Sequence, residues 1–192
     1  MTTVTLDGRK LPHQDWEGDD YTPGAGGKWV TCTDSSVGRD LCYATNGRID
    51  LDGRQIRAAV VPPDPDGITL VQAKQAVERL TDTTLIVPRD WDWFEVLAHL
   101  RAKKGLVVQG WYAEIPPEYR FQFRCDFAHA LFVSHYSPTA GMRVWDALDA
   151  NKTHHGSWVP ATYIRRSMEA LARRENVSLG ALFCGYVPLQ PL

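Results

Sequence analysis

Three side chains in this sequence are of the types that thiol nucleophilic catalysis needs: Cys32, His129 and an aspartate at 146 or 149. A thiol attacks as the thiolate, which a neighbouring imidazole generates by accepting the proton. An acid on the far ring nitrogen then fixes the tautomer and the ring's orientation. Cys32 falls where a helix is expected to begin, and a helix N-terminus favours a thiolate through its dipole and unpaired backbone N–H groups. Those same amides can contribute to an oxyanion hole. His129 opens an apolar run, Phe127-Ala128-His129-Ala130-Leu131-Phe132-Val133, where a polar residue needs a partner. Each residue also has a plainer reading. Cys32 can be a small apolar filler, as Cys42 on the same helix is expected to be. His129 can be satisfied by a backbone carbonyl, and a strand-end aspartate can simply face water.

The elements that must position these groups follow from punctuation and periodicity. Residues 1–27 are polar and turn-rich and end in Pro23-Gly24-Ala25-Gly26-Gly27, which reads as an arm or irregular segment; residues 28–192 read as one domain. A first helix is expected from Cys32 to about Ala44, stopped by Asn46-Gly47. Thr69 should cap a second helix over Leu70–Leu80, followed by a strand from Thr84 to Val87. Asp90 should cap a third helix that runs to Lys104 with Trp93, Phe94, Leu97 and Leu100 on its apolar stripe, Gly105 ending it. Leu106–Tyr112 reads as a buried strand, and Ala128–Tyr136, a turn over Ser137–Gly141 and Met142–Asp146 as a hairpin. Pro160 suits the first turn of a last helix ending near Arg174, and Phe183–Val187 suits a last strand. Helices early and paired strands late favour an α+β domain. The hairpin places His129 opposite some position between Asp146 and Asp149, depending on register.

Composition bounds the remaining classes. The chain has 192 residues, 44% of them hydrophobic and 23% charged, enough for one domain with its own core. Its 21 basic and 23 acidic residues are mixed along the sequence for a net charge of −2, which offers no field for nucleic acid or a membrane surface. The first sixteen residues lack the pattern of a secretory signal, and no apolar run reaches the ~18–20 residues of a membrane span. The expectation is a soluble protein without a signal of its own. Cys32, Cys42, Cys125 and Cys184 contain no C-x-x-C pair, although a Cys125–Cys184 disulfide is compatible with the sequence.

Other constellations are weaker. His129 and His135 on one strand are roughly 20 Å apart at ~3.3 Å per residue, too far to share an ion with Cys125 and His154-His155. No metal or other cofactor is expected. Ser35-Ser36 lacks nucleophile-elbow glycines, and Gly24–Lys28 lacks phosphate-loop spacing. Among the seven tryptophans, Trp93 and Trp145 read as core, whereas Trp29, Trp111 and Trp158 are candidates for the border of a cleft.

The order of an early helix with cysteine, a late strand opened by histidine and a next strand closed by acid resembles papain-like cysteine peptidases. The resemblance is closest to the bacteriocin-leader (double-glycine) type and its stand-alone bacteriophage relatives. It rests on His129-Ala130-Leu131-Phe132-Val133, Val144-Trp145-Asp146 and Gly156-Ser157-Trp158-Val159-Pro160, and spans about residues 28–172. It implies a papain-like fold, N-terminal helices packed on a C-terminal antiparallel sheet, with Cys32, His129 and Asp146 catalytic. It further implies a peptide or peptidoglycan-like substrate, virion protein partners, and a virion or host-cytoplasm setting. The sequence departs from that type in two places. Thr31-Cys32-Thr33-Asp34 replaces the usual aspartate-cysteine-glycine, and Gly26–Thr31 offers no oxyanion glutamine or asparagine. Gln14, Thr31 or backbone amides would have to stand in; losing one such donor costs on the order of 3–4 kcal/mol in the transition state. The alternative is a papain-like domain without catalysis that serves as a structural part of a phage tail.

Overall fold

The computed structural model describes residues 3–6, 9–13, 31–64, 67–102, 104–120, 126–148 and 156–187. Its first strands, β1 (Thr3–Leu6) and β2 (Arg9–His13), form an antiparallel hairpin within the segment read as an arm, and β2 lies against the first helix. That helix, α1 (Cys32–Ala44), starts and stops where expected. Asn46 and Gly47 both take positive φ, 54° and 78°, as a left-handed helix exit requires.

A short helix not foreseen in the sequence, α2 (Gly53–Ala58), follows. It is too brief to show periodicity, yet its start is marked by a reciprocal cap: Asp52 accepts from the Gln55 amide while the Gln55 side chain accepts from Asp52 N–H. Thr69 and Gln72 form the same box on α3 (Leu70–Leu80), which leads into β3 (Thr84–Ile86).

The next helix, α4 (Trp93–Arg101), corrects the expected boundaries. Asp92 rather than Asp90 is its cap, accepting from Phe94 and Glu95 N–H at 2.8 and 3.1 Å, while Glu95 accepts from Asp92 N–H at 2.6 Å. The inward face also differs from the expected stripe: Val96, Leu97, His99 and Leu100 are buried, and Phe94 is 78% exposed. Gly105 then turns the chain at φ +69°, where an added Cβ would lie 2.5 Å from Asp40 Oδ1.

The remaining elements are β4 (Leu106–Trp111), β5 (Ala128–Ser137), β6 (Gly141–Asp146), β7 (Ser157–Val159), α5 (Ala161–Glu175) and β8 (Phe183–Val187). Pro160 precedes α5 as its cap. Strand β7 lies within Gly156–Pro160, the segment matched in sequence only through the family resemblance. The sheet order is β3-β8-β4-β5-β6-β7, antiparallel at every pairing. This is an α+β fold in which helices also cover the second face of the sheet.

Alternate residues along each strand serve the two faces. Val107, Ala130, Cys184 and Tyr186 pack with Val37 and Leu41 of α1, Ile56 of α2 and Ala73 and Val77 of α3. Leu106, Val108, Leu131, Val133 and Phe183 pack with Leu97 of α4 and Ile164, Met168 and Leu171 of α5. Helix α1 is buried from Thr33 through Tyr43, although it carries Asp34, Ser35, Ser36, Arg39 and Asp40. Such burial needs specific partners. Ser36 Oγ donates to Ala130 O at 3.3 Å, and Asp40 Oδ2 accepts from Tyr186 N–H at 2.9 Å. Removal from water raises the Asp40 carboxyl well above the ordinary aspartate range, the Tyr186 bond offsetting only part of this.

Candidate active site

Cys32 is the first residue of α1, so its backbone N–H and those of Thr33 and Asp34 belong to the helix's open end. Thr31, at the cap position with φ −106° and ψ 4°, supplies no side-chain cap bond. The start of the helix is braced instead through Asp34, whose Oδ2 accepts from Arg57 Nη1 at 3.2 Å; Arg57 Nη2 continues to Asp64 O at 2.8 Å. The bond from Ser36 to Ala130 ties the same turn to β5 beside His129.

His129 is one residue inside the start of β5, opposite Gly110 of β4. Its Nε2–H donates to Asp146 Oδ1 at 2.6 Å, with both residues 4% exposed. In register, Asp146 stands opposite Leu131, so it reaches His129 along the diagonal between next-but-one neighbours on one face. Asp149, the other candidate acid, lies outside the described residues, as do Gln14, Trp29, Cys125, His154 and His155.

The carboxylate is held on both oxygens. Oδ2 accepts from the Tyr112 hydroxyl at 2.6 Å, and Oδ1 also accepts from Leu148 N–H at 2.9 Å. Tyr112 stands edge-on to the imidazole at 4.7 Å between centroids and stacks on Phe127 at 5.6 Å; Phe127 meets His129 edge-on at 6.0 Å. This aromatic wall keeps water from the ion pair.

With Nε2 on Asp146, the other ring nitrogen is left for the Cys32 side chain, which makes a hydrogen bond to the imidazole. Burial alone would favour neutral imidazole. It is overcome by the charge of Asp146, by the electrostatic pull of Cys32 and by hydrogen bonds to both, which lift His129 to about 10. Burial likewise works against the Asp146 carboxylate, but the imidazolium, the Tyr112 hydroxyl and the Leu148 amide together hold it below the ordinary aspartate value. The three residues singled out in the sequence thus meet: a half-buried thiol, a buried imidazolium and a buried carboxylate in series.

Tyr112 and Phe127 are parts of the site that sequence reasoning missed. Tyr112 reads there as the last residue of a strand, and its meeting with Asp146 depends on where β4 ends beside β5. On β4, opposite Ala130, Gln109 donates from Nε2 to Thr33 Oγ1 at 3.0 Å.

Cys42 and Cys184 are buried; Cys184 is a free thiol, and Cys125, the partner considered for it, lies outside the described residues. Trp145 is buried, as expected, and Trp93 packs against the core half-buried. Trp111 donates to Asp126 Oδ1 at 3.1 Å beneath the Arg174 guanidinium, 3.9 Å from the ring centroid, and Trp158 is exposed on β7. Among the described residues no group of three or more His, Cys, Asp or Glu could hold a metal ion, and no helix is long and apolar enough to cross a membrane.

The chain matches the fold of a candidate C39-like peptidase from Bacillus anthracis over the full length of both chains, with a TM-score of 0.62 and 13% identity. The fold is therefore that of C39-like, papain-like peptidases. No family model and no curated protein matches the sequence.

Proposed function

We propose that this chain is a cysteine hydrolase that cleaves a peptide or amide bond, with Cys32 as nucleophile, His129 as proton carrier and Asp146 as the residue that orients His129. The observation that carries the reading is the buried His129–Asp146 bond of 2.6 Å with Cys32 hydrogen-bonded to the same ring. In the first half-reaction the Cys32 thiolate attacks the carbonyl carbon. The His129 imidazolium gives its proton to the departing nitrogen as the C–N bond breaks, leaving a thioester and a free amine. Water then attacks the thioester and passes its proton to the now neutral imidazole; the acid leaves, and the thiolate–imidazolium pair is restored. The open amides at the start of α1 lie beside the attacking sulfur and suit the developing oxyanion.

The phage setting implied by the sequence resemblance is carried as part of this proposal, with a bacterial wall peptide as the substrate class such an enzyme meets. A purely structural role explains the site less well. Burying an ion pair costs several kcal/mol in desolvation, and apolar residues of equal volume would often stabilise a fold as well or better. The test is cleavage of a mixed peptide pool and of purified peptidoglycan, read by mass spectrometry. Wild-type protein should release new amine termini, and Cys32→Ala should fall to background. Equal cleavage by the two proteins would overturn the assignment.

A further inference from the structure

We infer that Gln109 is a specificity-determining residue of this site, presenting its carboxamide to a hydrogen-bonding group of the substrate on the α1 side of Cys32. The inference rests on the hydrolase reading above, but on different atoms. Three placements fix the position of Gln109. It stands opposite Ala130, the residue after His129, in the β4–β5 ladder. It shares strand parity with Val107, whose side chain packs with α1, so Gln109 points to the face that carries the cysteine helix. Its Nε2 donates to Thr33 Oγ1 at 3.0 Å, and Thr33 directly follows Cys32.

The chemistry of the group then points to a ligand. A carboxamide offers two donors and an acceptor with two lone pairs. The bond to Thr33 uses one N–H; the second N–H and the carbonyl have no partner among the described residues. The neighbours of Gln109 on this face, Val107 and Ala130, are buried and apolar, whereas Gln109 itself is half-buried. An apolar residue there would cover the core at less desolvation cost. The Thr33 bond holds the amide plane in place against the residue that follows Cys32, with its other edge open. A peptide or carboxamide group, donor and acceptor together, complements that edge.

The test uses covalent capture, which needs no prior substrate. Full-length protein is treated with a pool of N-acetyl-dipeptidyl chloromethyl ketones randomised at both positions, and separately with methyl methanethiosulfonate; Cys32 adducts are followed by mass spectrometry. Gln109→Leu should slow capture by the peptide pool about tenfold, the discrimination expected from one or two lost neutral hydrogen bonds, and leave the rate with the small reagent unchanged. Gln109→Glu, which keeps the shape but exchanges a donor for a charged acceptor, should shift the adduct population toward dipeptides with basic or donor side chains. If Gln109→Leu slows both reagents equally, Gln109 acts only through the position of α1 and the inference fails. An unchanged rate and adduct population in both variants would also overturn it. If wild-type Cys32 reacts with neither reagent, the hydrolase reading itself falls, an outcome distinct from either of these.

Discussion

The Tyr112 hydroxyl donates to Asp146 Oδ2 at 2.6 Å in a region closed to solvent, so the acid that orients His129 is itself oriented by a residue from the far end of β4. A hydrogen bond to a buried charge is worth about 1.5–3 kcal/mol. Tyr112→Phe keeps the ring against His129 and Phe127 but leaves Oδ2 without its donor, and should lower unfolding free energy by about 2 kcal/mol. The low Asp146 value contributes stability that is present above the unfolded aspartate value and lost as pH falls through the folded one. Without Tyr112 that folded value rises, so acid unfolding followed by circular dichroism should begin at higher pH. A variant with wild-type stability and acid midpoint would show that the bond carries no load.

His129 makes the opposite prediction at high pH. Its folded value is raised from 6.5 to about 10. The stabilisation is therefore complete below about 6.5, declines as the unfolded chain loses its proton, and is gone once pH passes through the folded value. The imidazolium should persist through neutral pH in NMR titration, and the alkaline limb of kcat/KM should fall near pH 10. In Asp146→Asn the larger of the supporting charges is gone, burial reasserts itself, and the ring should titrate below pH 7. A ring that titrates near 6.5 in wild-type protein would contradict the ion pair.

Differential alkylation addresses the thiols. Cys32 is half-buried at a helix end, whereas Cys42 and Cys184 are fully enclosed, and burial pushes the Cys184 thiol well above the ordinary cysteine range, with the nearby Asp40 charge adding to the shift. Iodoacetamide at mildly acidic pH should modify Cys32 at least about tenfold faster than Cys42 or Cys184 in the folded protein. Equal, slow modification of the three would remove the case for an activated nucleophile.

What the sequence displayed and what it concealed divide along physical lines. The hairpin of β5 and β6 was legible because a largely apolar strand, a turn with Gly141 and a second apolar strand fix alternation within a short stretch; His129 came with it, and the acid only to within Asp146–Asp149, because the register stayed open. Helix α1 was legible by its ends, Cys32 after a threonine and Asn46-Gly47 at the exit, but not by its faces. It is buried all round, and Asp34, Ser36 and Asp40 on it bond to Arg57, Ala130 and Tyr186, partners remote in sequence. The same remoteness hid Tyr112 and Gln109: their roles depend on which strand lies beside β5, and no local pattern encodes that pairing. The start of α4 was misjudged because Asp90 and Asp92 both have cap chemistry. Only Asp92 has a glutamate three residues on, and Glu95 decides between them.

Gly110 links packing to chemistry in a way one substitution can expose. It stands opposite His129 in the ladder, and α5 crosses so closely that an added Cβ would lie 2.2 Å from Ser167 Oγ and 3.0 Å from the Ser167 carbonyl carbon. Ser167 Oγ donates to Trp111 O at 2.9 Å, so the helix is fastened to the residue before Tyr112. Gly110→Ala must therefore push α5 from β4, an overpacking cost of about 1–3 kcal/mol. Because β4 carries Gln109 and leads directly into Tyr112, the displacement should also slow peptide capture at Cys32, an effect that a purely structural glycine remote from the site would not produce. Ser167→Gly removes the clashing hydroxyl and Cβ but leaves the backbone contact, so the double variant should recover part of the stability lost, less about 1 kcal/mol for a glycine within a helix. Thermal unfolding and capture kinetics on the same four proteins decide it: a Gly110→Ala protein as stable and as reactive as wild type would mean that α5 yields freely and does not set the position of the strand that leads into Tyr112.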